Sequence, residues 1–266
     1  MDKLSGKLLI VVLIAAFLGG CATTGTQEAA VPPKENPPLL VGVTTFYPPI
    51  IYRQGGGIKG LEADLAVQLA RALDRPVRFV EMDWDDLIPA LVAGRIDIIM
   101  SGMTVTEARK VRIRFTEPYL KIGLMTLMRT EDSSRYDSLD RIKGSDDTVG
   151  VVAGTAAEVY VRNHFSKSAI IRLLPSARDS VFALENRRID LFVNDSPSVV
   201  WLASQNEGTL AVFLTPFNVD YLAWGVRPDD RDLLVQANAV LNSWKKDGTL
   251  KESITKWLPY WKDFIE

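Results

Sequence analysis

Residues 39–262 alternate between two kinds of pattern. Short apolar runs at 39–46, 77–80, 96–100, 122–128, 149–152, 170–173 and 221–226 have the length and composition of buried strands. Between them, apolar residues recur three and four positions apart. Leu61, Leu65, Leu69 and Leu73 form one such stripe and predict a helix over 61–73, ended by Pro76. Similar periodicity predicts helices at 85–93, 138–142, after 153–155, and at 198–204, 230–245 and 249–257. The glycine-rich stretch RQGGGIKG at 53–60 predicts a hairpin-like excursion. Strand and helix alternate as βαβαβ, which predicts a parallel sheet covered by helices on its faces.

The pattern repeats. DLIPALVAGRIDIIM at 86–100 and DSVFALENRRIDLFV at 179–193 align at a constant offset. Asp86, Ala90, Leu91, Arg95, Ile96 and Asp97 recur as Asp179, Ala183, Leu184, Arg188, Ile189 and Asp190. Each copy reads as a helix ending near Gly94 or Asn186, followed by a buried strand. One repeat of this length is too short for a solenoid. It predicts an α/β fold of two similar lobes, each presenting a loop at the carboxyl end of a strand.

The first 38 residues read differently. Lys3 and Lys7 precede an apolar run at 8–18, too short to span a bilayer as a typical helix, which ends Leu18-Gly19-Gly20-Cys21. These small residues before a cysteine resemble the lipobox of bacterial lipoproteins, which implies cleavage before Cys21 and lipid on its sulfur. Residues 22–38, ATTGTQEAAVPPKENPP, are too polar and proline-rich to build a core and predict a tether. The expected organisation is a signal segment at 1–21, a tether at 22–38, a first lobe at 39–121, a second at 122–221, and a return to the first at 222–262.

Composition narrows the function. Apolar residues make up 47% of the 266-residue chain, ample for a core. The net charge of −2 gives no basic footprint, so no nucleic-acid partner is expected. A single cysteine excludes an internal disulfide, and a single histidine argues against a histidine-rich metal site. His164 reads as an ordinary surface or cap residue. No cofactor or metal is expected.

The candidate chemistry lies at the two strand ends. After 96–100 come Ser101, Gly102 and Thr104, then Arg109, whose planar fork suits a carboxylate. After 189–193 comes Asn194-Asp195-Ser196-Pro197. Hydroxyls, a glycine and a cation on one side and a carboxylate on the other would satisfy a zwitterion such as an amino acid. Gly154-Thr155 opens a helix whose free N–H groups suit an anion.

In order along the chain, VGVTTFYPPI, GLEADLAVQLA, MDWDDLIPALVAGRIDIIMSGMTVTEAR with RFTEPYL, VGVVAGTAAEVY, RRIDLFVNDSP, YLAWGV and LNSWKKDGTLKESITKWLP resemble the family 3 extracellular solute-binding proteins, the amino-acid receptors of ABC importers. The resemblance covers about residues 39–262. It implies two α/β lobes joined by two crossovers and closing on one ligand, with no catalysis. By motif it implies that Arg109 pairs with the ligand α-carboxylate, helped by Thr104, Ser101 and the backbone at Gly102. Gly154 and Thr155 would reach that carboxylate from the other lobe, and Asp195 would hold the α-ammonium. Tyr47 and Trp84 would pack on the ligand side chain. The implied partners are a small amino acid or related carboxylate, an ABC permease, and the membrane through lipidated Cys21; a periplasmic, membrane-tethered monomer is expected.

Three features depart from the pattern or qualify it. Thr44 stands where many members carry an aspartate, which weakens the case for a cationic ligand. Ala156 replaces a second hydroxyl. Glu62 and Asp64 read as structural acids, not a metal site. A ligand sensor without transport is one alternative, and a related activity on this fold, cyclohexadienyl dehydratase, is the enzymatic one. It would need a general acid, for which Glu62, Glu117 and Glu158 are the candidates.

Overall fold

The computed structural model describes residues 36–264. The expected signal segment, Cys21 and most of the expected tether lie outside the described residues. The first sheet begins with Leu39–Val43 (β1), followed by a small antiparallel excursion of Phe46–Tyr47 (β2), Ile51–Gln54 (β3) and Gly57–Lys59 (β4). Helix Leu61–Ala72 (α1) buries Leu61, Leu65 and Leu69 on its stripe. Asp74 then turns the chain at φ 52°, ahead of Pro76.

Strand Val77–Glu81 (β5), helix Leu87–Val92 (α2), strand Ile98–Ile99 (β6), the short helix Glu107–Lys110 (α3) and strand Arg114–Phe115 (β7) follow. Leu120–Ile122 (β8) leaves this lobe, and Leu124–Arg129 (β9) enters the second. There Leu139–Gly144 (α4), Thr148–Val152 (β10), Ala156–His164 (α5), Ile170–Leu174 (β11), Asp179–Glu185 (α6), Leu191–Asp195 (β12), Ser196–Gln205 (α7) and Leu210–Phe213 (β13) complete a second sheet. The chain returns through Asp220–Leu222 (β14) and Gly225–Val226 (β15), and ends with helices Arg231–Asp247 (α8) and Thr249–Trp257 (α9).

The two sheets share one plan. The first runs β5-β1-β6-β15-β7 and the second β11-β10-β12-β9-β13. In each, the first three strands are parallel and the next is antiparallel. The parallel pairing expected from the βαβαβ order thus holds for those three strands, and the strand that returns from the other lobe adds antiparallel. β15 and β9 reach their sheets by crossing between lobes, not by a helical crossover, so nothing forces them parallel. β8 and β14 pair antiparallel, Leu120 with Leu222, so both passages between sheets travel as one ribbon. Four expected strands differ from their apolar runs: β1 stops at Val43, β6 spans two residues, and 122–128 and 221–226 break, at Gly123 and at Ala223-Trp224, into strands of different sheets.

The repeat has a physical basis. Asp97 accepts the N–H of Leu40 at 3.0 Å and a guanidinium N–H of Arg75 at 2.7 Å. Its counterpart Asp190 accepts the N–H of Thr148 at 3.1 Å and a guanidinium N–H of Arg129 at 2.9 Å. Each carboxylate thus ties the start of the central strand to its neighbour and is neutralised by an arginine. Gly94 and Arg187, at matching positions, both take positive φ, 70° and 52°, to turn helix into strand.

Apolar residues cover both faces of each sheet. Leu65, Leu69, Leu241 and Trp244 belong to the core on one face of the first sheet, and Leu87, Leu91 and Ile96 to that on the other. Among the described residues no helix is long and apolar enough to cross a membrane.

Candidate functional site

A cavity of about 480 Å³ opens between the carboxyl ends of the two sheets. Thr44, Tyr47, Trp84, Ser101, Gly102, Thr104 and Arg109 line it from the first lobe, and Ala153, Thr155, Ala156, Asn194 and Asp195 from the second. The loop after β6 supplies the first wall. Ser101 is buried and its Oγ accepts the N–H of Thr44 at 2.8 Å, holding the loop against the end of β1. Thr44 turns its own hydroxyl away, onto the carbonyl of Met82 at 3.0 Å. Gly102 takes φ 66°, and a Cβ there would lie 2.4 Å from the Tyr47 ring. Only glycine lets that aromatic lie against the loop.

Arg109 is set by α3, whose N-cap Thr106 accepts the Arg109 N–H. Its guanidinium donates to the carbonyl of Thr104 at 2.8 Å and to that of Gly154, across the cleft, at 3.4 Å. It also sits 5.1 Å from the centre of the Trp84 ring. Among the described residues Arg109 forms no ion pair within 4.0 Å. Burial lowers its pKa, and Asp195 and Asp220 act in the opposite direction. A half-buried guanidinium with spare donors is electrostatically ready for an anion.

Asp195 ends β12 on the opposite wall and is 8% exposed. Burial pushes its carboxyl up to about 6; Tyr47 and Arg109 oppose the shift and Asp220 adds to it. Tyr47 donates its hydroxyl to Asp195 Oδ2 at 2.8 Å, and Trp84 donates its indole N–H to the carbonyl of Gly154 at 3.1 Å. The two aromatics therefore touch the second lobe as well as lining the first.

Two backbone donors are engaged by the chain itself. The Gly102 N–H goes to Glu62, and the Gly154 N–H goes to Glu158 at 2.8 Å. Thr155 caps α5 by accepting the Glu158 N–H and gives its hydroxyl to Val152, while Glu158 reaches back one residue beyond the usual capping box, to the N–H of Gly154. The anion at this helix start is the chain's own glutamate.

The glutamates considered as general acids are also occupied. Glu158 is bonded to Arg162, Glu117 faces Asn242 and Lys245, and Glu62 is fully buried beneath the loop. Asp64 accepts from Lys256 and from the Trp257 indole, which pins α9 to α1. His164 closes α5 on the surface, stacked on Tyr160. Among the described residues no group of acids, histidine or cysteine has a metal-binding arrangement.

Asp83, Asp85, Ser176 and Asp179 also line the cavity and were not singled out in the sequence. Asp179 opens the second repeat copy, which is the one local signal that marks it. Asp220 acts electrostatically on both Arg109 and Asp195, a relation that exists only once β14 returns beside the cleft.

The profile of the bacterial extracellular solute-binding proteins, family 3, matches residues 39–260. The L-cystine-binding protein TcyJ of Escherichia coli K12 is 28% identical over 211 residues, 79% of this chain and 78% of TcyJ. An ancestral arginine-binding protein solved with arginine superposes with a TM-score of 0.78 at 29% identity, covering 85% of this chain and all of that one. The ancestral amino-acid-binding protein AncCDT-1, described as a precursor of cyclohexadienyl dehydratase, superposes with a TM-score of 0.77 at 32% identity, covering 82% and 94%.

Proposed function

The chain belongs to the family 3 bacterial extracellular solute-binding proteins, and from that premise we propose that its cleft captures a free amino acid or a related small carboxylate for an ABC importer. One observation carries the reading: an arginine that forms no ion pair among the described residues and a buried aspartate face one cavity from opposite lobes. A zwitterion supplies the missing partner of each. Arg109 takes the α-carboxylate with Thr104 and the Ser101 hydroxyl, since the Gly102 N–H is held by Glu62. Asp195 takes the α-ammonium, and Tyr47 and Trp84 wall the side chain. Gly154 and Thr155 contribute from the second lobe through the carbonyl and the rim of α5, since the Gly154 N–H is held by Glu158.

Burial makes this pairing selective. A charge in a dry cleft costs free energy unless it is matched, so a ligand lacking either charge is disfavoured. The names of similar proteins, which bind cystine or arginine, support an amino acid as the ligand class. The β8–β14 ribbon is the natural hinge, and closure on the ligand would bring Arg109 and Asp195 to the same molecule.

The reading extends to location. Cys21 would carry lipid, and residues 22–38 would tether a monomeric body near the permease. Cys21→Ser should release the protein from membranes; unchanged membrane retention would remove the anchor from the scheme. The test of ligand class is a thermal-shift screen of the twenty standard amino acids and L-cystine, because a ligand of the folded state raises the melting temperature. No shift with any of them, alongside turnover of prephenate, would replace this reading with the dehydratase.

A further inference from the structure

Glu62 sits in the first turn of α1, fully buried, and lies directly under the loop that lines the cleft. Its Oε2 accepts the N–H of Gly102. Among the described residues its Oε1 has no hydrogen-bond partner, and neither does the hydroxyl of Tyr119 or the indole N–H of Trp224, both also enclosed. Tyr119 and Trp224 nonetheless pull the Glu62 pKa down, which places their donors towards it but short of full bonding geometry. A buried carboxyl with two donors waiting beside it is a site with two protonation states, each with its own bonding pattern.

The position of those partners matters. Tyr119 directly precedes β8, and its N–H bonds the carbonyl of Leu222 in β14. Trp224 directly precedes β15, and its ring stacks on Tyr119 at 5.9 Å. Glu62 therefore meets the cleft loop on one side and both crossover strands on the other. Tyr47, lying against Gly102, extends the contact to Asp195 in the second lobe.

We propose that Glu62 is the positioning residue of the carboxylate loop: it couples that loop to the two crossover strands and takes up a proton when a ligand carboxylate occupies the cleft. The inference rests on the amino-acid reading above. Its physical basis is charge. A carboxylate held by Arg109 and the Gly102 loop puts a second negative charge near Glu62, and like charges in a low-dielectric site favour protonation of one. Burial already holds the Glu62 carboxyl up at about 8. The titratable groups facing it are Tyr119 and Tyr47, whose pKa values are both raised by burial and by nearby carboxylates, with Asp195 one step beyond. Protonated, Glu62 keeps Oε2 as acceptor for Gly102 and turns Oε1–H towards Tyr119. Ionised, it draws in the Tyr119 and Trp224 donors.

The test compares wild type with Glu62→Gln, which mimics the protonated shape. Calorimetry is run at pH 7 to 9 in buffers of different ionisation enthalpy, with the amino acid giving the largest thermal shift in the screen. Wild type should take up more protons per ligand than Glu62→Gln at pH 8 to 9. Its affinity should fall roughly fivefold more between pH 7 and pH 9, for a rise of one unit in the Glu62 pKa on binding. Equal proton uptake by the two proteins overturns the proposal. In the ligand-free protein the Gly102 amide resonance should titrate near pH 8 in wild type only; a flat Gly102 resonance also overturns it. If Glu62→Gln does not fold, Tyr119→Phe serves, and should move that midpoint upward by removing a group that lowers it; an unmoved midpoint counts against the coupling. Absence of binding by every amino acid, with Gly102 still titrating, would mean that the ligand reading fails and that the loop coupling stands.

Discussion

The hydroxyl of Tyr47 reaches across the cleft and donates to Oδ2 of Asp195 at 2.8 Å, joining a residue of the first lobe to one that ends a strand of the second. The bond does two things. It holds the aromatic over Gly102, and it stabilises the ionised form of a carboxylate that burial would otherwise keep protonated.

A pH dependence follows from Asp195. Its carboxyl is raised from 3.8 to about 6, and only the ionised form attracts an ammonium. Affinity for an amino acid should be intact above that value and fall by about tenfold per unit as pH drops below it. For the empty fold the sign reverses. The folded state keeps a proton that the unfolded chain has already released, so stability contributed by Asp195 protonation falls as pH rises from about 4 towards about 6. Tyr47→Phe removes a group that lowers the Asp195 pKa, so the acid limb of binding should move to higher pH. Calorimetry from pH 5 to 8 reads both effects, and an acid limb unchanged in Tyr47→Phe would detach Asp195 from ligand binding.

The proposed ligand pairs can be removed one at a time. Arg109→Ala should weaken amino-acid binding by about 2–5 kcal/mol, and Asp195→Ala by a similar amount, the scale for deleting one member of a buried charge pair. Arg109→Lys keeps the charge but loses the planar fork that reaches Thr104 and Gly154 together, so it should rescue only part of the loss. Full affinity in Arg109→Ala would move the carboxylate elsewhere in the cleft.

The repeated acids predict a different phenotype. Asp97 and Asp190 hold the starts of β1 and β10 and face Arg75 and Arg129. Arg129 is 6% exposed and also donates to the carbonyls of Leu184 and Ile189, so losing Asp190 weakens a buried cation's network. Asp132 remains beside it at 2.5 Å and limits the damage. Asp190→Ala should cost about 2–3 kcal/mol of stability, and Asp97→Ala, whose partner Arg75 is more open to solvent than Arg129, about 1–2 kcal/mol. Neither should change ligand affinity in the folded protein. Urea midpoints and calorimetry on the same samples separate the two readouts.

These acids also mark how far the sequence could be read. The recurrence of Asp97 as Asp190 was visible because a repeated local unit leaves a repeated local pattern, and it led to two lobes and to the facing loops of Arg109 and Asp195. Its structural role was not visible, since the bonded partners Leu40 and Thr148 lie 57 and 42 residues away. Strand Leu210–Phe213 was missed for a related reason: it is an edge strand of four residues whose pairing with β9 depends on the lobe crossing. Glu62 read as a structural acid, and nothing in GLEADL reveals that its side chain is fully enclosed beneath Gly102. Glu158 beside Gly154 was the opposite case, because Thr155-Ala156-Ala157-Glu158 spells a capping box that the sequence alone could have disclosed.

The sharpest test of the shared architecture lies in two glycines. Gly42 in β1 and Gly150 in β10 occupy the same place in their sheets. A Cβ on Gly42 would stand 2.2 Å from Cδ1 of Ile96, and one on Gly150 would stand 2.6 Å from Cδ1 of Ile189. Ile96 and Ile189 are themselves a repeat pair, and both are fully buried. Each lobe thus seats the repeated isoleucine in the space left by a glycine on the strand beside its central one. Gly42→Ala should overpack this contact and cost about 1–3 kcal/mol, with the smaller clash at Gly150 giving a smaller loss. Ile96→Val removes the offending Cδ1 at a cost of about 0.5–1.5 kcal/mol by itself. In the Gly42→Ala/Ile96→Val double variant the new methyl fills the space vacated, so the double should be more stable than the sum of the singles predicts. Strict additivity in urea unfolding would mean that the two side chains do not share this space.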